Sequence, residues 1–454
     1  MTPTPRPALA AALAAVVLAG CGSFGRTVDG VWDVAMMGET EALRDPLRPV
    51  RGTTRVLVIA IDGLGDGALR QAVAGGDAPH LAALLGAPTG DPDVFAHAYA
   101  APGVTAVLPS ETAAGWAAVF TGRRPSDTGV VGNEWFDRDS LALYAPVPGS
   151  VSSIEQTVRV FSRDFLGDVI QTPTLFERAG LRSHVSLGFV HRGADVFAPP
   201  DANDAGELLD GLFDSVLEGP RALLAELDED TEEGVRAAAR RYGLPDLQVA
   251  YFPGADLTAH RYGADAARDY LRDEVDGRVG QIMDLYRQAG LLDSTYVVVV
   301  ADHGHTPRLA DDEHAMEAEA EFAAALNALG IRTRDVSIGA DDGPATYQAV
   351  LGYNEVAAFV TLADRSTCPE LGDACDWSRP PRLDGDVLPI ARLFRRASDD
   401  APGGPTIDLV LARASRTDAA VPFQVLRDDR LVPIADYLAD TPRPDLVRLA
   451  ERLD

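Results

Sequence analysis

Short runs of β-branched and aliphatic residues alternate with longer amphipathic stretches along most of the chain. The apolar runs at residues 55–63, 247–252 and 294–304 have the length and composition of buried parallel strands. Helical periodicity follows at residues 172–180, which end in Gly180, and over the longer stretch 266–290. Strands that alternate with helices predict an α/β protein, a three-layer α/β/α sandwich around a mostly parallel central sheet.

Residues 205–243 interrupt this alternation with helical patterns that have acidic faces. We predict a helical insertion here, either a cap or an outer helical layer, and we interpret the acidic run 228–233 as a solvated face. One catalytic domain is expected over residues 52–450. Its far sheet edge is predicted to hold the short strands at residues 347–353, 357–362 and 407–413.

The first 21 residues have the pattern of an export signal. One Arg precedes an apolar run that starts at Ala8 and is too short to span a bilayer. The run ends in LAGC, which resembles the bacterial lipobox, in which the Cys becomes the lipidated first residue of the mature chain. We therefore expect lipid on Cys21, a tether over residues 22–51 and a location in the cell envelope on the exported side. A plain secretory signal is the alternative.

The two other cysteines, Cys368 and Cys375, lie seven residues apart in the turn-rich segment CPELGDAC. In an exported protein this spacing predicts a disulfide that closes a small loop. A zinc pair is the competing interpretation, but neither a His nor a third Cys stands nearby in the sequence.

Charge restricts the kinds of partner. The formal net charge is −29 over 454 residues, which repels phosphate backbones and argues against nucleic-acid binding by charge. A small anionic substrate held by a metal ion remains compatible with this charge.

The residues with catalytic potential follow the predicted strands. Asp62 ends the first strand, Asp256 and His260 follow the second, and Asp302 and His303 follow the third. In open α/β sheets, sites form beyond the carboxyl ends of the strands. A single Asp there is most often a turn residue. Five carboxylate and imidazole groups at one sheet edge instead predict a centre for zinc or a similar ion.

Two hydroxyls in LPSETAAGWAAVFTG, Ser110 and Thr112, are candidate nucleophiles. A metal ion lowers the pKa of a hydroxyl that it binds, and a helix N-terminus beside it provides N–H groups for an anion. Thr112 is adjacent to the predicted helix 113–120 and would cap it, whereas Ser110 lies farther out. The residues therefore favour Thr112.

Four ordered motifs carry a family resemblance: VLVIAIDGL, PSETAAGWAAVFTGRRPSDTGVVGNEWFD, PGADLTAHRYG and VVVVADHG. Together they resemble the alkaline phosphatase superfamily, and most closely its branch of nucleotide pyrophosphatases and phosphodiesterases. In that branch the nucleophile precedes a helix that closes in Thr-Gly. Counting back from Thr121-Gly122 again gives Thr112.

The resemblance implies a hydrolase of small phosphorylated substrates with an alkaline phosphatase-like fold, two divalent metal ions, usually zinc, and a phosphothreonine intermediate. It implies the ligands of the first ion: Asp62, Thr112, Asp302 and His303. It assigns the second ion to Asp256, His260 and a further His.

The sequence departs from the branch at that further His, because no His follows His314. His305, in ADHGH, resembles a histidine of the alkaline phosphatases proper that hydrogen-bonds the Asp ligand, here Asp256. We predict this supporting role for His305, with a solvent-facing loop histidine as the alternative. A contribution from His314, or from water or another oxygen ligand, is the alternative for completing the second site.

Phosphodiester or pyrophosphate hydrolysis is thus the predicted function. A phosphomonoesterase or a sulfuric-ester hydrolase on the same site is one alternative. A non-catalytic metal-binding lipoprotein is the alternative from a different class.

Overall fold

The computed structural model describes residues 39–91, 95–101, 104–147, 165–200, 221–306, 322–334, 345–354, 357–401, 403–413, 423–441, 443 and 446–447. Cys21 and the predicted signal peptide lie outside these ranges, as do His314 and residues 205–220. Every helix within them is too short or too polar to serve as a membrane span.

Thirteen strands form within the described residues. In chain order, β1 to β13 are Glu41–Ala42, Arg55–Ile61, Trp135–Asp137, Ala142–Tyr144, Ser183–Ser186, Val196–Ala198, Leu247–Phe252, Thr295–Val300, Ala349–Asn354, Ala357–Leu362, Leu411–Arg413, Phe423–Arg427 and Arg430–Pro433.

Thirteen α-helices accompany them in the same ranges. In chain order, α1 to α13 are Asp66–Gly75, Pro79–Leu85, Thr112–Thr121, Pro125–Thr128, Phe165–Val169, Leu175–Ala179, Arg221–Tyr242, Gly254–Tyr262, Ala264–Tyr270, Asp276–Gln288, Ala324–Ala328, Leu388–Asp399 and Ile434–Asp440.

The chain divides into two units. The first comprises Met1–Asn133 with Ala145–Pro307, and the second comprises Glu134–Tyr144 with Arg308–Asp454. Each unit has sheets of its own. The prediction of one catalytic domain over residues 52–450 stays a prediction.

The first unit contains the central six-stranded sheet, in the order β1-β6-β5-β7-β2-β8. All its neighbouring strands are parallel except the short β1, which pairs antiparallel with β6. Strand β2 lies between β7 and β8, with Ile61 opposite Phe252 and Ala60 opposite Val300. This register brings the carboxyl ends of three strands to one edge.

Alternate residues of β2 explain the layers on the two sides of the sheet. Leu57, Ile59 and Ile61 belong to a buried cluster with side chains of α1, α2, α7 and α10. The opposite face is covered by α3, since Trp116 contacts Tyr251 edge-on at 5.4 Å between ring centroids. Because the strands are apolar on both faces, helices cover both. The predicted α/β/α sandwich is confirmed.

Two elements of the structure differ in detail from those that the sequence predicts. Strand β8 is the last strand of the described sheet, with Tyr296 71% and Val298 44% exposed, because it pairs only with β2. Its apolar sequence predicts a strand but not its position in the order. The helix expected over residues 266–290 is two helices, α9 and α10, joined by a π-helical turn at Leu271–Val275.

Helix α7 is the described part of the predicted insertion, and it packs on β5, β6 and β7 as an outer layer of the sandwich. Gly234 allows this approach, because a Cβ there would lie 2.8 Å from the Cβ of Ala198. The acidic run is a solvated face only in part, since Glu229 and Glu233 are exposed whereas Asp228 and Glu232 are buried. Charge alone predicts exposure, but this helix turns Asp228 toward the sheet.

The strands of the second unit form small antiparallel sheets: the hairpin β3–β4, the hairpin β9–β10 and the three strands β11-β12-β13. The expectation that the late strands form the far edge of the central sheet is therefore wrong. Their short apolar runs predict strands, but pairing partners come from tertiary contacts that periodicity does not encode. A disulfide joins Cys368 to Cys375, and both cysteines belong to a buried cluster that includes Phe136 and Trp377.

A buried imidazole on β5 makes folding sensitive to acid. His184 is 1% exposed, and neither ring nitrogen has a hydrogen-bond partner within the structure as described. Burial, followed by the charge of Arg182, lowers the pKa of His184 to about 4, with Asp195 opposing. The folded state therefore keeps the His184 side chain neutral down to a pH of about 4. In the unfolded chain the same side chain takes up a proton below its ordinary pKa of 6.5.

We predict that this difference destabilises the fold as pH falls through the interval from 6.5 to 4. The free energy of unfolding should drop by about 2–3 kcal/mol more in the wild type than in His184→Leu between pH 7.5 and 4.5. Urea titrations at the two pH values measure this difference. The exposed His97, changed to Gln, is the control that should follow the wild type. Parallel losses in wild type and His184→Leu would contradict the prediction.

Candidate metal centre

The carboxyl ends of β2, β7 and β8 bring the predicted ligands together. Asp62 directly follows β2, and its backbone N–H donates to the carbonyl of Phe252 at 3.0 Å, at the end of β7. Asp256 lies in the first turn of α8, just after β7, and Asp302 follows β8 by two residues. All three carboxylates are buried.

One imidazole nitrogen is the centre of the first cluster. His303 Nε2 lies 3.4 Å from Thr112 Oγ1, 3.4 Å from Asp302 Oδ2 and 3.6 Å from Asp62 Oδ1. Zinc bonds of about 2.0–2.1 Å in a tetrahedral site place neighbouring ligand atoms roughly 3.3–3.4 Å apart. The distances from His303 to the three oxygens therefore fit one zinc ion with these four ligands.

Each carboxylate of this cluster is anchored through one oxygen. Asp62 Oδ2 accepts hydrogen bonds from Trp116 Nε1 at 2.9 Å and from the Tyr251 hydroxyl. Asp302 Oδ1 accepts from the Gly63 N–H at 3.2 Å. The remaining oxygens, Asp62 Oδ1 and Asp302 Oδ2, have no hydrogen-bond partner among the described residues. Buried acceptors without donors are what a cation satisfies.

The electrostatics agree with this reading. Burial, and next the charge of Asp256, raise the pKa of Asp62 to about 6. Burial, and next the charge of Asp62, raise the pKa of Asp302 well above its ordinary value. Buried carboxylates this close cannot all stay ionised without a compensating positive charge. The residues present therefore fit a divalent ion.

The second cluster is built on α8. His260 follows Asp256 by four residues, so both side chains lie on one helix face, with His260 Nε2 3.3 Å from Asp256 Oδ2. This distance again matches the edge of a zinc tetrahedron. Burial alone would raise the pKa of Asp256, but hydrogen bonds with His260 and His305 and nearby imidazoles hold it well below its usual range.

His305 contacts the other oxygen of the same carboxylate. Its Nε2 lies 2.8 Å from Asp256 Oδ1, a hydrogen-bond distance that is shorter than a tetrahedral edge. This is the contact that the supporting role of His305 requires, and the role itself stays a prediction. Among the described residues, two sets of three side chains bring their ligand atoms within 4.8 Å of one another. One set is Asp62, Asp302 and His303, and the other is Asp256, His303 and His305.

The candidate nucleophile lies at the beginning of α3. Thr112 is the first helical residue and Glu111 occupies the cap position, so the expectation that Thr112 caps the helix is not met. The Ala113 N–H donates instead to Asn133 Oδ1 at 2.9 Å, and Asn133 Nδ2 donates to Glu111 Oε2 at 3.0 Å. The Thr112 hydroxyl therefore faces His303 and not its own backbone. Ser110 is half-buried.

Sequence reasoning missed the residues that hold this site in place: Glu111, Trp116, Asn133 and Tyr251. Asn133 lies in VVGNEWFD, inside a motif that already carried the resemblance, so a polar residue within an apolar segment could have drawn attention to it. Trp116 and Tyr251 read as ordinary core aromatics in a helix and a strand. Nothing in their spacing indicates that their polar atoms reach Asp62.

Two glycines permit the close packing around the clusters. A Cβ on Gly115 would lie 2.7 Å from the Cβ of Asp302. Gly63 has a φ of +66°, and a Cβ there would lie 2.6 Å from Asp256 Oδ1 and 2.6 Å from His305 Nε2. The site thus depends on the absence of side chains at two positions.

Comparison with known proteins agrees with the motifs. The family model described as "Type I phosphodiesterase / nucleotide pyrophosphatase" matches residues 56–342, more than half of the chain. The chain belongs to this family. The matched residues include all of the ligands predicted for the two ions and Thr112, and the resemblance stated from the sequence is confirmed.

Other comparisons are more distant. A structure of mouse ectonucleotide pyrophosphatase/phosphodiesterase 5 is 16% identical, with a TM-score of 0.39, and the match covers 58% of this chain and 63% of that one. An inactive threonine-to-alanine variant of the mouse protein in complex with AMP matches at 15% identity over the same shares, also with a TM-score of 0.39. Both matches span less than two thirds of the mouse chain. No curated protein matches significantly.

Proposed function

We propose that this family member is a metal-dependent hydrolase that cleaves phosphodiester or pyrophosphate bonds through a phosphothreonine on Thr112. The observation that carries this proposal is the position of His303 Nε2. This atom lies 3.4–3.6 Å from the Thr112 hydroxyl, from one carboxylate oxygen of Asp62 and from one carboxylate oxygen of Asp302. A threonine hydroxyl within a set of metal-ligand atoms is the arrangement that activates a weak nucleophile.

Two divalent ions, zinc by the chemistry of the donor set, would complete the centre. The first would be held by Asp62, Thr112, Asp302 and His303. The second would be held by Asp256 and His260, with His305 supporting Asp256. Bound there, the ions supply positive charge that lowers the pKa of the Thr112 hydroxyl and offsets the charge of the phosphate.

Hydrolysis would then proceed through two displacement steps at the same phosphorus atom. In the first, Thr112 Oγ1 gives up its proton to solvent and forms a bond to phosphorus while the bond to the leaving oxygen breaks, so that the leaving group departs and takes up a proton from solvent. In the second, water attacks the same phosphorus, the P–Oγ1 bond breaks, and Thr112 regains a proton. The N-terminus of α3, where Thr112 lies, favours the negative charge of the phosphoryl group.

A substrate panel tests this function. With zinc present, the full chain should hydrolyse bis-p-nitrophenyl phosphate faster than p-nitrophenyl phosphate, and p-nitrophenyl sulfate slowest. A preference for the monoester or the sulfate would favour the phosphomonoesterase or sulfuric-ester alternatives. Stoichiometric zinc without turnover of any phosphate ester would favour the non-catalytic metal-binding lipoprotein.

We propose further that the protein is exported and lipid-anchored in the cell envelope through Cys21, which the LAGC motif supports. In Cys21→Ser, the precursor should stay uncleaved and the protein should lose its lipid, as detected by mass spectrometry of membrane fractions. Membrane partitioning with cleavage as in the wild type would contradict the lipid anchor.

A further inference from the structure

Helix α7 reaches the start of the helix that carries the second pair of ligands. Asp228, which is fully buried, accepts a hydrogen bond from the Gly254 N–H at 3.1 Å through Oδ1. Gly254 is the first residue of α8, two positions before Asp256 and six before His260. The N–H groups of a first helical turn have no partner within the helix, so an external acceptor fixes where and in what direction the helix begins.

Tyr270, the last residue of α9, closes the other side of this contact. Its hydroxyl and Asp228 Oδ2 both border Gly254. Gly254 leaves no room for a side chain, because a Cβ there would collide with the Tyr270 hydroxyl and lie 2.6 Å from Asp228 Oδ2. Three elements thus meet at Gly254 with no room for a side chain.

We propose that Asp228, with Tyr270, is a positioning residue that sets the start of α8 and thereby the geometry of Asp256 and His260 toward the second metal ion. This inference rests on the proposed two-ion function. It gives a role to a helix whose contribution the sequence leaves open. The same helix also holds Tyr251, the donor to Asp62, because the Thr231 hydroxyl donates to the Tyr251 carbonyl.

The environment of Asp228 suggests the variants. Burial raises the pKa of Asp228 to about 7, while the hydrogen bond from the Gly254 N–H, the nearby Tyr270 hydroxyl and the charge of Arg278 oppose this effect. What α8 needs from residue 228 is an oxygen acceptor and not a full charge. Asn keeps such an oxygen and the size of the side chain, and Ala removes it.

Calorimetric zinc titration of the metal-free full-length protein tests the proposal without measuring activity. The step that disappears in His260→Ala identifies the second site. Asp228→Ala should weaken zinc binding at that site by roughly 10–100-fold and leave the first site within about threefold of wild type. Asp228→Asn should restore the second site to within about threefold of wild type. Glu226→Ala, an exposed change on the same helix, is the control and should leave both sites unchanged.

Tyr270→Phe provides an independent variant if Asp228→Ala does not fold. It keeps the ring but removes the hydroxyl that borders Gly254 and Asp228, and the second site should weaken several-fold. Equal loss at both sites, or no loss at the second site, would overturn the proposal. A purely structural role would lower the thermal midpoint and leave the ratio of the two affinities unchanged. Failure of the phosphodiesterase assay would leave these affinities measurable, so the two hypotheses fail separately.

Discussion

Thr112→Ala should abolish turnover of every phosphodiester that the wild type cleaves, with a loss of at least about a thousandfold in kcat. The physical reason is the loss of the only hydroxyl that the described site places next to His303, at 3.4 Å from Nε2. Asp62, Asp302 and His303 remain, so most of the zinc should stay bound. Steady-state kinetics and metal content per chain measure the two effects.

Ser110→Ala is the matched control for this change. Ser110 is half-buried and lies two residues before Thr112, so we expect activity within a few-fold of the wild type. Trapping with a labelled substrate should give a phosphorylated peptide that contains Thr112 in the wild type and none in Thr112→Ala. Wild-type rates in Thr112→Ala, or label on Ser110, would show that the nucleophile is assigned incorrectly.

Gly63→Ala should disturb the second cluster, at the contact between Asp256 and His305. The new Cβ would lie 2.6 Å from both Asp256 Oδ1 and His305 Nε2, and the residue would have to keep a φ of +66°. Both the contact and the backbone are strained, so either the loop or the His305–Asp256 pair must move. We expect kcat/KM to fall by roughly 100-fold or more, with weaker zinc binding at the second site.

Gly67→Ala, four residues later in α1, separates this effect from a general cost of replacing glycine. Nothing lies within 4 Å of a Cβ at Gly67, and Ala is the better helix former, so the variant should be as stable as the wild type or slightly more so. Thermal unfolding and zinc titration of both variants show whether the loss in Gly63→Ala comes from crowding at this position or from replacing a glycine in general. A Gly63→Ala protein with wild-type zinc affinity would refute the crowding described at this position.

Much of the catalytic side of the fold could be predicted from the sequence. Apolar runs such as 247–252 match their strands closely, and parallel strands in one sheet force Asp62 and Asp302 to one edge. Composition could not place β8 at the end of the described sheet, because strand order depends on crossovers that leave no local pattern. The hairpin β9–β10 was misassigned to the central sheet for the same reason.

The site shows a similar division. Residue types that bind metals stand out in a sequence because the chain has only eight histidines. Residues that orient them do not, since Asn133 and Tyr251 act through hydrogen bonds to residues at least 20 positions away in the sequence. The burial of Asp228 is the clearest case, because an acidic run on a helix normally faces water.

The three buried carboxylates at the sheet edge also bear on how long the folded protein lasts. Asp62, Asp256 and Asp302 repel one another in a low-dielectric site, and the folded chain carries that repulsion until a cation offsets it. A ligand that binds only the native state raises the free energy of unfolding with the logarithm of its free concentration. Supply of the metal ion would then govern the lifetime of the chain against proteases, so that starvation for the metal removes the protein as well as its activity.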